Sequence, residues 1–185
     1  MTVVSGMPRS GTSLMMHMLD TGGIPALTDG HRTADRHNPH GYFEDDRVKR
    51  LAQDSSWLDE AQGRAVKVIY RLLPHLPPHL QYRVLFMNRD LNEVYASQRD
   101  MLESRGDPAA EQDRSMIRAL ANELDATRRW LEKQGNLRFI EVPYGELVSQ
   151  ADVWIPRISR FLDAELDEQA MALAIDPALH RHRAG

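Results

Sequence analysis

The chain has no cysteine. Disulfides, thiolate metal sites and cysteine nucleophiles are therefore excluded, and a reducing compartment is compatible. No apolar stretch approaches the roughly 20 residues of a membrane-spanning helix. The opening residues carry neither the basic region nor the apolar run of a secretory signal, so the expectation is a cytoplasmic protein with no membrane partner. A surplus of positive charge is also missing. Lys and Arg number 23 against 27 Asp and Glu, for a net charge of −4. That balance argues against a nucleic-acid partner. It leaves room for a small anion, because local fields outweigh the total.

What remains is ordinary for a globular protein: 185 residues, 42% hydrophobic and 27% charged. That length suits one domain over residues 1–185. Thr2–Ser5 is a β-branched run that stops at Gly6, which predicts a buried strand. Residues 12–20 read as a helix stopped by Gly22 and Gly23. Residues 24–42 are polar and aperiodic, and so long a segment inside a compact domain tends to be functional. Short helices are expected over 43–52 and 57–62. Further strands are expected over 65–70, 82–88 and 137–142. Asp90 followed by Glu93 is a capping-box pattern and starts a helix to about Glu103. The longest helix is expected over 114–133, with a core stripe of Met116, Leu120, Leu124 and Leu131. Shorter helices follow near 144–147, 153–162 and 168–174. Strands alternating with helices predict an α/β three-layer sandwich with a central parallel sheet. In such sheets ligands bind at the carboxyl ends of the strands.

The strongest signal is VVSGMPRSGTS, residues 3–13. A strand enters a glycine turn, and the turn enters a helix. Loop amides and the helix dipole then converge on one point suited to an anion. The pattern approaches the nucleoside triphosphate loop G-x-x-x-x-G-K-[ST], a P-loop-like fold signal. Gly6, Gly11 and Ser13 fit it. Thr12, however, stands where that loop has lysine, and the only cation inside the turn is Arg9. An ATP enzyme normally needs that lysine on the β- and γ-phosphates.

Pro8-Arg9-Ser10-Gly11-Thr12-Ser13 resembles the 5′-phosphosulfate loop of sulfotransferases that use 3′-phosphoadenosine 5′-phosphosulfate (PAPS). A second segment, RDLNEVYAS over residues 89–97, resembles the same family's 3′-phosphate motif. There an arginine ends a strand and a serine follows eight positions later, as Arg89 and Ser97 do here. The likeness is to short bacterial members. It implies that Arg9, Ser10, Gly11, Thr12 and Ser13 hold the phosphosulfate end, and that Arg89 and Ser97 hold the 3′-phosphate. It implies a PAPS-dependent sulfotransferase that releases 3′-phosphoadenosine 5′-phosphate (PAP) and needs no metal. Lys67 resembles the strand lysine that the cytosolic members place near the transferring group. Their base is a histidine two positions later, where this chain has Ile69. The base stays open, and its candidates lie in NPHGYFE, residues 38–44, in the irregular region where acceptor contacts are expected: Glu44 first, since similar bacterial sequences place G-Y-F-E here, and His40 second. Arg181 and Arg183 in the basic tail resemble a late basic segment that reaches the 3′-phosphate in the family.

Plainer roles compete with each assignment. Arg89 could pair with Asp90 or Glu93, and Ser97 could be an ordinary helix residue. Lys67 could carry its head to solvent. Glu44 could stabilise a helix start. His31, His37 and His40 lie close in sequence, but their spacing matches no metal pattern. Two other functions stay open: a kinase using ATP and magnesium, with Asp90 as the acidic metal ligand, and a non-catalytic nucleotide-binding module. The acceptor is expected to be a hydroxyl of a small molecule. A homo-oligomer is compatible with the sequence and is not required by it.

Overall fold

A computed structural model describes residues 1–35, 38–105 and 114–176. Four strands form one parallel sheet: β1 (Thr2–Gly6), β2 (Ala65–Ile69), β3 (Tyr82–Asn88) and β4 (Leu137–Pro143), in the order β2-β1-β3-β4. The registers align the strand ends. Gly6 sits opposite Ile69 on one side and Met87 on the other, and Asn88 sits opposite Pro143. The chain leaves β1 toward β2 and then crosses back to β3. The crevice beyond β1 is therefore the point where the winding reverses, the usual ligand position in such sheets.

Side-chain alternation along each strand divides the core between two faces. Val3, Val66, Val68, Val84 and Phe86 form one face. They pack against the 3₁₀ turns of residues 56–61 and 70–75 and against the helix α3 (Arg114–Leu131). Val4, Ala65, Leu85, Met87 and Val142 form the other. They pack against α1 (Thr12–Thr21), α4 (Tyr144–Ser149), α5 (Ala151–Leu162) and α6 (Glu168–Leu173). The result is the expected three-layer α/β arrangement with its sheet buried on both faces. No helix among the described residues is long and apolar enough to cross a membrane.

Local chemistry explains the element starts. The helix α2 (Leu91–Arg105) begins where Asp90 accepts hydrogen bonds from the amides of Asn92 (2.8 Å) and Glu93 (3.3 Å). That is the side-chain cap read from the sequence. The segments 43–52 and 57–62 are tighter and shorter than expected, forming 3₁₀ turns at Asp46–Arg50 and Ser56–Ala61. The core stripe of α3 holds only in its second half. Leu124 and Leu131 are buried, whereas Met116 is 45% exposed. Leu137 likewise opens β4 and joins the same core cluster as Leu124 and Leu131.

Candidate functional site: a cleft at the strand ends

The turn between β1 and α1 is built by backbone conformations that few residues adopt. Gly6 has φ +146° and Gly11 has φ +99°, and Arg9 stands between them at φ +70°. A positive φ at a bulky residue is uncommon and clusters at functional sites. Space dictates the glycines too. A Cβ on Gly6 would lie 2.7 Å from both the Met87 carbonyl oxygen and Ser10 Oγ, and one on Gly11 would collide with the Tyr144 ring. Close packing presses the turn down onto the ends of β3 and β4. Gly11 is the residue before α1, and no side chain caps that helix. Its first-turn amides therefore face the crevice without an intrahelical acceptor.

Beyond this turn lies a cleft of about 410 Å³. Pro8, Arg9, Gly11, Thr12, Ser13, Lys67, Glu44, His40, Arg89 and Ser97 all line it. Segments far apart in the chain therefore converge on one space. Ser10 departs from the expected set. It is 1% exposed, does not line the cleft, and its hydroxyl has no hydrogen-bond partner among the described residues. Its amide closes the turn onto the Met7 carbonyl at 3.1 Å. Its role is to shape the turn from beneath. Arg181 and Arg183 lie outside the described residues, as does His37.

The two proposed phosphate motifs touch directly. Arg9 Nε donates to Ser97 Oγ at 3.0 Å, and Arg89 Nη1 donates to the Arg9 carbonyl at 3.2 Å. Arg89 also pairs with Glu93, Nε to Oε2 at 2.9 Å, and stacks over the Tyr144 ring at 4.5 Å. The salt bridge weighed from sequence is real, and it coexists with a place on the cleft wall. It holds the guanidinium in position while another edge reaches the turn. Burial lowers the pKa of Arg9, with nearby Arg89 adding to the effect and Tyr42 opposing it. An arginine keeps its proton regardless, so the shift marks a cation already stripped of part of its water.

Lys67 does not reach bulk solvent. Its side chain is only 10% exposed. Nζ donates to Ser13 Oγ at 3.0 Å and to the Tyr42 carbonyl at 2.7 Å, and lies 3.5 Å from Glu44 Oε1. Burial drives its pKa down to about 8, against the upward pull of Glu44. Glu44 also takes Arg32 Nη1 on both oxygens, at 3.0 and 3.2 Å. Arg32 in turn lies 3.3 Å over the Tyr42 ring, whose hydroxyl donates to Asp35 at 2.6 Å. The helix-start role considered for Glu44 belongs to its neighbour. Asp45, almost fully buried, accepts from the Arg47 amide at 3.0 Å and caps the following 3₁₀ turn.

His40 stacks on His17 of α1, with ring centroids 4.3 Å apart and planes at 11°. His17, Arg32, Tyr42 and Tyr144 line the cleft and escaped the sequence reading. His17 had a legible signal, since it stands four residues after Ser13 on the same helix face. Arg32 had none, because the segment that carries it is aperiodic. Asp90 lines a separate hollow with Asp125 and Arg128, and its carboxylate is engaged as the α2 cap. Asp90 thus lies outside the cleft that the glycine turn lines. Among the described residues, Asp29, His31 and Asp46 bring three ligand-type atoms within 4.8 Å of one another, and Lys49 already sits 2.5 Å from Asp46.

No protein-family model matches this chain, and no curated protein matches it in sequence.

Proposed function

We propose that the chain is a sulfotransferase that moves a sulfuryl group from PAPS to a hydroxyl of a small molecule. One observation carries the reading: Arg9 and the glycine turn line the same cleft as Arg89 and Ser97, with Arg9 hydrogen-bonded to Ser97. Two anion-binding elements joined across one space suit a nucleotide with phosphates at both ends. The absence of lysine from the turn speaks against ATP in the same cleft.

PAPS supplies an activated sulfuryl group whose leaving group is a phosphate. The residues here would do the rest. Amides of the turn and of the first turn of α1 would hold the 5′ end. Arg89 and Ser97 would hold the 3′-phosphate. Arg9 and Lys67 would face the charge that gathers on the bridging and sulfuryl oxygens, and such preorganised donors contribute about 3 kcal/mol each. A buried lysine with a pKa near 8 is still mostly charged at pH 7. Arg9 acts as a fixed cation and donates no proton. Glu44, beside Lys67, and His40 also line the cleft, and the acceptor would lie near them.

Calorimetric titration in EDTA tests this. PAP is expected to bind, and Arg89→Ala and Ser97→Ala are expected to weaken PAP more than AMP, which lacks the 3′-phosphate. Magnesium-dependent ATP binding with no PAP binding would reverse the assignment in favour of a kinase. Binding of PAP without turnover over a broad hydroxyl panel would favour a nucleotide-binding module.

A further inference from the structure

His17 has no part in the scheme above, yet it lines the cleft. It lies just over one turn of α1 beyond Ser13, so both side chains share the helix face that borders the cleft. Ser13 in turn holds Lys67 Nζ at 3.0 Å. The imidazole is therefore next to the end of the cleft where sulfuryl charge would gather. Its orientation is set by packing: the ring stacks on His40 at 4.3 Å and on Phe43 at 6.0 Å. The titratable groups that act on it are His40 from the irregular segment and Asp20 on α1, and Glu44 and Lys67 line the same cleft. Asp176, beyond α6, lines the same cleft. Burial lowers the pKa of His17, His40 pushes it the same way, and Asp20 opposes both. Burial and His40 thus favour the neutral ring.

Glu44 is situated differently. Both of its oxygens receive Arg32, and one lies 3.5 Å from Lys67 Nζ. Arg32 and Lys67 therefore already occupy the carboxylate that would have to face an acceptor. Its geometry is that of an anchor.

We propose that His17 is the general base of the transfer, held in place by its stack on His40, and that Glu44 positions Lys67 instead of taking the proton. The proposal rests on the sulfotransferase reading. The acceptor oxygen forms a bond to sulfur as the bond from sulfur to the bridging phosphate oxygen breaks. That bond's electron pair stays on the phosphate of the departing PAP. The hydroxyl proton passes to the neutral ring nitrogen of His17.

The test uses the full chain with PAPS and 2-naphthol as probe acceptor, and in parallel with water as the only acceptor, following PAP release. The wild-type rate should fall on the acid side, below the ordinary imidazole range, because burial lowers the pKa at which the ring takes a proton. His17→Asn should lower kcat about 100-fold or more and abolish that acid limb. Its affinity for PAP should stay within about threefold of wild type, which also shows that it folds. Added imidazole should restore part of the rate to His17→Gly. Glu44→Gln should keep the acid limb. A His17→Asn enzyme that keeps both its rate and its limb overturns the assignment, as does a Glu44→Gln enzyme that loses the limb. Wild-type protein that binds PAP yet releases none from PAPS in either assay also overturns it, and leaves the nucleotide site standing. Failure of the wild type to bind PAP at all defeats the underlying reading instead.

Discussion

The two walls of the cleft are held by different forces. The glycine-turn wall is a matter of backbone and close packing: Gly6 lies against the Met87 carbonyl and Gly11 against the Tyr144 ring. The opposite wall, residues 32–35 and 38–44, hangs on side chains. Arg32 grips Glu44, Tyr42 holds Asp35, and Lys67 ties the segment to α1 through the Tyr42 carbonyl and Ser13. A wall made by packing tolerates no added atom. A wall made by partly exposed polar contacts can be rewritten at small cost. A protein that must hold one donor and adapt to different acceptors would divide its labour this way.

Changing Gly6 to Ala should have the largest effect. The new methyl meets a backbone oxygen at 2.7 Å, and φ +146° is strained for any side chain. A loss of about 3 kcal/mol in urea unfolding is expected. A cost below about 1 kcal/mol would mean that the packed wall yields as easily as the polar one.

Lys67 joins the two walls, and its burial penalises its charge. Its folded pKa, about 8, lies below its ordinary value near 10.5. Between those pH values the unfolded chain holds more protons, so this group makes stability rise with pH from about 8 to about 10.5. Below pH 8 the penalty is complete. Lys67→Met should therefore stabilise the protein at pH 7 by about 1–3 kcal/mol, flatten that rise, and abolish sulfuryl transfer. Unfolding across pH 7–10.5 checks it, and a destabilised variant would show that its hydrogen bonds outweigh its desolvation.

Smaller effects follow. Ser97→Ala removes the acceptor of Arg9 Nε and should cost about 1 kcal/mol of stability, with PAP affinity falling about tenfold. Thermal unfolding and titration read the two separately. Arg32→Ala, at a side chain 38% exposed, should change stability by no more than about 1 kcal/mol. A larger loss would make the irregular wall as rigid as the glycine turn.

The strands, the glycine turn, the α2 cap at Asp90 and the layer order could all be read from residue order. Each depends on neighbours a few positions apart: a β-branched run, a glycine that takes positive φ without strain, a carboxylate beside open amides. The same local reading overextended the α3 stripe to Met116, since periodicity marks a face and not how far that face is covered. It also placed Ser10 among the ligand contacts, although the fold turns that side chain beneath the loop. Convergence was beyond it. That Ser97 would meet Arg9, that Lys67 would turn from solvent to join Ser13 to Glu44, and that His17 would stack on His40 depend on segments 23 to 88 residues apart. Backbone propensity acts over a turn or two of chain, whereas these contacts exist only once the sheet has set its strand ends side by side and burial has chosen which polar groups must find one another.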